Sequence, residues 1–352
     1  MNVRGLIDKL ENEKKLETEE WTRLISGYTD GDREYAAEKA RAIAAERFGN
    51  GVYFRGIVEF TSYCKNDCLY CGIRRSNRDA QRYRLSGETV LACCRAGYEA
   101  GFRTFVLQGG EDAYFTDDRM EALVASVHSA FPDCAITLSI GERSREAYER
   151  FYRAGAARYL LRHETACAAH YARLHPMAQS FDARMRCLRE LKEIGYQTGC
   201  GMMVGAPYQT AENLAADMRF MGEFQPAMIG TGPFIPHHAT PFAAFPAGSV
   251  ELTLLLLSLC RIMLPDVLLP ATTALGTLSE DGRKRGILAG ANVIMPNLSP
   301  RADREKYLLY DNKKISGEDA AESLHVLRAH LAEIGYELVV SRGDYQQKEN
   351  AL

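Results

Sequence analysis

What this 352-residue chain lacks narrows its class before any motif is read. No apolar run approaches the roughly 20 residues that a bilayer-spanning helix needs. The greasiest stretch, Leu252 to Leu264, is broken by Arg261 and reads as a buried helix. The opening Met1-Asn2-Val3-Arg4-Gly5 has no signal-peptide apolar core. Neither sign of charge dominates: 43 Lys and Arg stand against 46 Asp and Glu, which argues against a nucleic-acid surface. No low-complexity segment or linker interrupts the chain. One main domain, 51–337, is therefore expected between a helical extension, 1–50, and a tail, 338–352. Forty-six per cent hydrophobic and 25% charged residues describe a soluble globular protein with ample core. The ten cysteines are scattered, unlike the dense framework of a small disulfide-stapled protein.

Residues 1–50 read as helices. Thr18 is placed to cap one that ends near Gly27, and Asp32 to open a second that stops at Gly49. No catalytic residue is expected among them. From residue 55 on, β-like runs at 56–61, 104–108, 135–140, 158–162, 197–204, 228–234, 268–272 and 292–295 alternate with helical ones. The helices are expected at 87–100, 118–130, 144–154, 181–194, 211–224, 250–264 and 282–289, with a further one at 318–334. Gly101, Gly155, Gly195 and Gly290 end helices just before the next strand, as C-caps do. The alternation predicts an α/β fold, a (β/α)8 TIM-type barrel with an N-terminal helical extension. The polar tail, with Gln346-Gln347-Lys348-Glu349-Asn350, is expected to be poorly ordered.

The densest chemistry lies just after the first strand, in Ser62-Tyr63-Cys64-Lys65-Asn66-Asp67-Cys68-Leu69-Tyr70-Cys71-Gly72. Thiolates at Cys64, Cys68 and Cys71 are spaced to converge on one soft metal centre. With only three, a cubane cluster keeps one iron without a protein ligand, which is the logic of a catalytic metal site. A zinc loop lacking its fourth ligand, or three unrelated buried cysteines, would leave the same pattern. An iron–sulfur site requires reduced thiols and so a cytoplasmic setting. The C-x3-C-x2-C spacing with Tyr70 before the last cysteine resembles the signature of the radical S-adenosylmethionine (SAM) superfamily. That resemblance implies a 4Fe–4S cluster on the three cysteines, SAM chelating the open iron, and reductive cleavage to a 5′-deoxyadenosyl radical.

In such a barrel, chemistry gathers at the C-terminal strand ends. Gln108-Gly109-Gly110-Glu111-Asp112 follows the second strand. The glycines admit close backbone approach and the carboxylate suits an ammonium. The resemblance makes Gly109, Gly110 and Glu111 a "GGE" motif for the SAM amino group, where the plainer reading is an ordinary turn. Ser139 and Glu142 end the third strand within reach of a ligand hydroxyl. Arg162-His163-Glu164-Thr165 ends the fourth; burying these ionisable groups is costly unless they pair with each other or with ligand. Arg162 suits a carboxylate fork and Glu164 a ribose hydroxyl or ammonium, with Arg184 a second candidate for the SAM carboxylate. An internal ion-pair network fits the same residues. The small fifth strand, 199–205, suits an adenosyl group, with Met203 against it, and Phe234 or Ile235 can pack on adenine. His237 and His238 read as surface histidines or as metal ligands. Thr272 and Thr273, with Arg55 on the first strand, make a seat for a substrate carboxylate. Gln108 and Met295 line the same interior, and Tyr307 and Tyr310 close it from above.

Several longer runs resemble one family, the HydE maturases of FeFe-hydrogenase, over roughly residues 50–315. They are Arg82-Tyr83-Arg84, Val106-Leu107-Gln108, Tyr159 to Thr165, Gly232 to His237, Pro270 to Ala274 and Gly290 to Asn297. The resemblance implies an enzyme acting on an iron–cysteine–carbonyl–cyanide synthon in assembly of the hydrogenase diiron subsite. It also implies contact with the partner maturase HydG and the scaffold maturase HydF, an electron donor, and no nucleic acid or membrane. No cysteine follows Cys260, and the C-terminal stretch Asp311-Asn312-Lys313-Lys314-Ile315-Ser316 offers no second cluster site, so one cluster is expected. Methylornithine synthase and biotin synthase are rival readings on the same scaffold. A non-catalytic iron–sulfur carrier is a rival of a different class.

Overall fold

The computed structural model describes residues 1–314 and 320–346. Ile315 and Ser316, the first two positions of the helix expected at 318–334, and residues 347–352 of the tail lie outside them.

Three helices come first: α1 (Val3–Glu13), α2 (Thr18–Gly27) and α3 (Asp30–Phe48). The sequence reading missed α1, although Leu6, Ile7 and Leu10 give it a buried stripe and the Asn2 side chain caps Gly5 N. The cap of α2 is Glu17 rather than Thr18, in a box with Glu20; Thr29 and Asp32 form the box that opens α3. Then follow β1 (Gly51–Phe54), β2 (Gly56–Thr61), α4 (Gly87–Ala100), β3 (Thr104–Gly109), α5 (Asp117–Ala130), β4 (Ala135–Ser139), α6 (Arg145–Arg153) and β5 (Ala156–Leu160). Next come α7 (Ala168–Leu174), α8 (Phe181–Ile194), β6 (Gln197–Cys200), β7 (Met203–Val204), α9 (Ala211–Phe224), β8 (Met228–Ile229) and β9 (Gly232–Pro233). The chain continues through α10 (Val250–Met263), α11 (Thr273–Leu278), α12 (Gly282–Leu288), β10 (Val293–Ile294), α13 (Arg301–Arg304), α14 (Ala320–Ala332) and β11 (Glu337–Val339).

Six parallel strands run in the order β2-β3-β4-β5-β6-β8. Single bridges then close the ring: Met228 to Leu268, Pro270 to Val293, and Ile57 to Asn297. Residues 268–270 thus supply the seventh position, as two bridges rather than the full strand expected. Continuous strands this deeply buried read as apolar runs, which is why they stood out in the sequence. The leucine-rich α10 is buried along almost its whole length and packs on α3, so the N-terminal helices lie outside the ring.

The C-terminal segment differs from expectation. β11 pairs in parallel with β1, and residues 342–345 pack across the barrel floor. There the wholly buried Arg158 donates to Asp344 Oδ1 (2.7 Å), Arg342 O (2.6 Å) and Thr104 Oγ1 (3.1 Å).

Candidate active site

The cysteine loop leaves β2 and is tied down along its length. Lys65 N donates to Glu111 O, Leu69 N to Leu174 O, and Gly72 N to Leu309 O. Asp67 accepts from Arg74 Nε (2.8 Å) and Ser76. Arg82 gathers four carbonyls from both flanks: Ser62 (2.5 Å), Ile73 (2.8 Å), Arg74 (2.7 Å) and Asn77 (3.2 Å). Gly110 explains the glycine pair: a Cβ there would sit 2.2 Å from Tyr63 O and 2.7 Å from Cys64 Cβ. The close approach is to the protein's own cysteine loop.

Burial raises the pKa of all three thiols, that of Cys68 to about 12; Cys68 also feels Cys64, and Cys71 feels both Cys68 and Cys64. Among the described residues only His237, His238 and Asp311 bring three ligand atoms within 4.8 Å of one another, so at least one pair of the cysteine sulfurs stands further apart. A single tetrahedral zinc with Zn–S near 2.3 Å would draw its ligand sulfurs to roughly 3.8 Å, closer than this arrangement holds all three. The histidine–aspartate group is a poor metal site for another reason. His237 Nδ1 accepts Ala239 N–H (3.1 Å), which puts the proton of the neutral ring on Nε2, the atom turned toward Asp311 at 3.8 Å.

Strand ends β3 to β6 supply polar groups beside this loop. Glu111 is buried; its Oε1 accepts Glu142 N–H (3.1 Å) and its Oε2 is 3.2 Å from Lys65 Nζ. Gly141, at φ +73°, lies against that carboxylate, where a Cβ would be 2.2 Å from Glu111 Cγ. Arg184 donates to Glu142 Oε1 and Arg162 O, both at 2.6 Å. Burial opposes its charge, but Tyr171, Glu142 and Tyr70 hold its pKa above the ordinary value. Glu164 has the left-handed φ of +65° and donates its N–H to Gly201 O. Arg162 Nη2 is 2.9 Å from Glu164 Oε2, within ion-pair reach but out of hydrogen-bond alignment. Arg162 Nε and Nη2, Glu164 Oε2, Gln179 Nε2 and Tyr171 OH are therefore buried without hydrogen-bond partners. Gln179 Oε1 meanwhile lies 3.3 Å from Cys68 Sγ, and Cys68 feels both Arg184 and Glu164. This set of unmet donors and acceptors beside the cysteines fits an amino-acid ligand such as the methionyl end of SAM.

The remaining expected residues divide. Tyr70 turns its hydroxyl to His175 Nε2 (3.1 Å) and packs in an apolar group with Met203 and Phe234. Ile235 is buried beside them, while Ser139 and Gln108 are half-buried. Thr273 and Met295 line a small cavity together with Ile57, Glu59, Asn297 and Arg283. Thr272 is the N-cap of α11. Tyr307 is wholly buried and feels both Glu59 and Cys71; Tyr310 feels Glu59, Arg283 and Arg162.

Arg55 needs correction. Its Nη1 reaches Met228 Sδ (2.9 Å) and its Nη2 reaches Gly343 O on the floor, so only Nε is left over. The carboxylate seat expected between Arg55 and the threonine pair does not form in that way, because the tail claims the guanidinium.

The residues missed were Glu59, Arg283, Lys313 and Gln179. Glu59 carried a signal, a lone charge in the apolar run Ile57-Val58-Glu59-Phe60; it accepts from Lys313 Nζ (2.5 Å) and Asn297 Nδ2 (2.6 Å).

The radical SAM superfamily model matches residues 58–221. The chain is 44% identical over 305 residues to the FeFe-hydrogenase maturase subunit HydE of Thermotoga maritima, covering 85% of this chain and 87% of that protein. The chain belongs to the HydE family of radical SAM proteins. As a radical SAM protein it uses a 4Fe–4S cluster and SAM. The HydE-like chain is also 29% identical to 3-methylornithine synthase of Methanosarcina acetivorans, over 84% of each. Its fold superposes on the crystal structure of methylornithine synthase PylB with a TM-score of 0.84, at 28% identity and covering 95% and 97% of the two chains. The maturase HydG matches at 0.79 and 21% identity, over 96% of this chain and 76% of that one, a likeness of fold.

Proposed function

We propose that this chain is a hydrogenase maturase that acts, with SAM, on an iron–cysteine–carbonyl–cyanide synthon during assembly of the FeFe-hydrogenase diiron subsite. The observation that carries the reading is the 44% identity to HydE across 85% of the chain, against 29% to a methylornithine synthase over a similar span. When bound, the cluster and SAM supply reductive cleavage of a sulfonium to a 5′-deoxyadenosyl radical. The chain's own part is to hold and orient. Cys64, Cys68 and Cys71 carry the cluster. Gly110 lets that loop seat against β3, and Glu111, Arg162, Glu164 and Arg184 take the charged end of SAM. Met203 and Ile235 flank its adenosyl end. Gln108, Thr272, Thr273 and Met295 bound the substrate, with Tyr307 and Tyr310 excluding water from above. Contact with HydG, with HydF and with an electron donor, and a cytoplasmic setting, belong to the same proposal.

The test is a reconstituted, reduced protein given SAM. 5′-Deoxyadenosine is expected, and Cys68→Ala abolishes it. An intact cluster whose spectrum ignores SAM, with no cleavage, would make the protein an iron–sulfur carrier instead. The TM-score of 0.84 to PylB keeps methylornithine synthase as the second reading. Turnover of L-lysine, and none of the iron synthon, would select it.

A further inference from the structure

We infer that Gln179 is a positioning residue for the cluster: with Cys68 ligating iron, its side-chain amide donates an N–H···S hydrogen bond to that sulfur and so helps set the cluster's reduction potential. The inference rests on the proposed role of Cys68 as a cluster ligand and not on the identity of the substrate. In the structure Gln179 Oε1 lies 3.3 Å from Cys68 Sγ, an arrangement in which the thiol is the donor. Gln179 Nε2 is at the same time buried without a hydrogen-bond partner. A cysteine that ligates a metal does so as the thiolate, which has no proton left to give. An amide oxygen facing that sulfur would then set two acceptors against each other, with a donor orphaned on the far side of the same group. The carbonyl and NH2 ends of an amide occupy nearly the same space, so a half-turn about the last side-chain bond brings the donor to the sulfur. It leaves an acceptor where the unmet Nε2 now stands, in the group that already holds the unmet donors Tyr171 OH and Arg162 Nε. The hydrogen bond to the thiolate is charge-assisted.

The fold fixes the amide at this place. Gln179 closes a turn over 176–179, its N–H donating to Pro176 O (2.9 Å), and the next residue, Ser180, caps α8. The end of α7 and the turn after it are fastened to three successive residues of the cysteine loop. Leu69 N donates to Leu174 O (3.0 Å), Tyr70 OH meets His175 Nε2 (3.1 Å), and Gln179 meets Cys68. Cys64 and Cys71 differ. Backbone groups face their sulfurs, at Asn66 and Glu111 for the first and at Ile73 for the second, whereas the contact to Cys68 is made by a side chain that a substitution can remove. Hydrogen bonds to the sulfurs are a lever on cluster potential, because they favour the more negative reduced state over the oxidised one. Loss of the Gln179 donor therefore lowers the potential.

The test uses the reconstituted full chain without SAM, so that the potential is read apart from sulfonium cleavage. Redox titration followed by EPR of the reduced cluster should show Gln179→Leu less readily reduced by about tenfold in the equilibrium, about 60 mV for a one-electron couple. Gln179→Glu keeps the shape but gives up the donor, and its potential should fall at least as far. Met177→Leu, exposed on the same turn, should match the wild type. Pulsed EPR of the wild type carrying nitrogen-15 in its glutamine amides should show a nitrogen coupled to the reduced cluster, a reading that does not depend on how any variant folds or loads. An unchanged potential in cluster-loaded Gln179→Leu, a Gln179→Glu potential equal to that of the wild type, or no amide nitrogen coupled to the wild-type cluster would each overturn the inference. A full cluster retained by Cys68→Ala would overturn the ligand assignment and the inference with it. A failure of SAM cleavage with the potential shift intact would instead overturn the proposed function.

Discussion

Gly141→Ala is the perturbation that most directly separates the cofactor site from the scaffold. Two costs follow from the structure. The φ of +73° is left-handed, which costs an alanine about 1–2 kcal/mol. The new Cβ would lie 2.2 Å from Glu111 Cγ and Oε1, so the carboxylate must retreat by more than about 1 Å to reach ordinary contact. That retreat breaks the Oε1 bond to Glu142 N–H (3.1 Å), worth about 1.5–3 kcal/mol as a charge-assisted bond. Gly101→Ala supplies the control: its φ is +105° and its nearest neighbour would be Val340 Cγ2 at 3.6 Å, so it reports the backbone cost alone. Urea melts should therefore show Gly141→Ala losing about 1.5–3 kcal/mol more than Gly101→Ala. SAM affinity, measured calorimetrically on reconstituted protein of equal iron content, should fall roughly ten- to a hundredfold in Gly141→Ala and hold in Gly101→Ala. Equal SAM affinity in wild type and Gly141→Ala, with the cluster intact, would refute Glu111 as a SAM ligand.

Two further predictions concern stability. Burial opposes ionisation of Asp344, but Arg158 and Arg342 hold its pKa down to about 2, so its contribution is full above the ordinary carboxylate range and is lost as pH falls through 2. Asp344→Asn should cost about 2 kcal/mol in urea at pH 7 and almost nothing at about pH 1, and equal stabilities at pH 7 would dismiss the floor as a structural plug. Burial, with Arg184 next, holds His175 down to about 3, so the ring stays neutral in the fold while it charges near 6.5 when unfolded. Stability from this group is full above pH 6.5 and declines as pH drops toward 3; from pH 7 to 5 the wild type should lose about 2 kcal/mol more than His175→Gln. Parallel pH profiles would contradict that assignment.

The legible parts of this chain were those in which the signal is local. Helices α4, α8 and α9 match the expected spans because a polar N-cap, an apolar stripe and a C-terminal stop all fall within one run of sequence. The cysteine loop was legible for the same reason. Arg55, Arg283 and Asp344 were not, because their roles depend on what the ring closure and the returning tail bring to them. A charge on a short helix such as α12 normally reads as solvated, and nothing near Arg283 in the sequence announces a cavity. Glu59 was recoverable: period-two alternation along β2 sends it to the same side as Ile57, and both line the cavity. The tail looked dispensable by composition, yet its Asp344 neutralises a guanidinium almost two hundred residues earlier.

The run Arg162-His163-Glu164-Thr165 shows how alternation divides one stretch between scaffold and site. His163 and Thr165 are fully buried; unmet polar atoms lie on Arg162 and Glu164, and His163 Nε2 is likewise without a hydrogen-bond partner. His163 Nδ1 accepts Gly201 N–H (3.2 Å) and its Nε2 stands 3.3 Å from Asp217 Oδ1, which in turn accepts Ala166 N–H (2.5 Å). This clamp joins the end of β5 to β6 and α9, and so fixes Glu164 in a left-handed conformation that a glutamate rarely adopts unaided. Misaligned pairing with Arg162 then leaves both side chains short of partners at the place where Cys68 feels Glu164. Strain and unmet hydrogen bonds each cost about 1–3 kcal/mol, and their coincidence on one residue is what a preorganised ligand site requires. A slip of one residue in the register of this strand end would turn Arg162 and Glu164 away from the cysteine loop and break the clamp, so the pattern is fixed by the fold and not by the charge of the run alone.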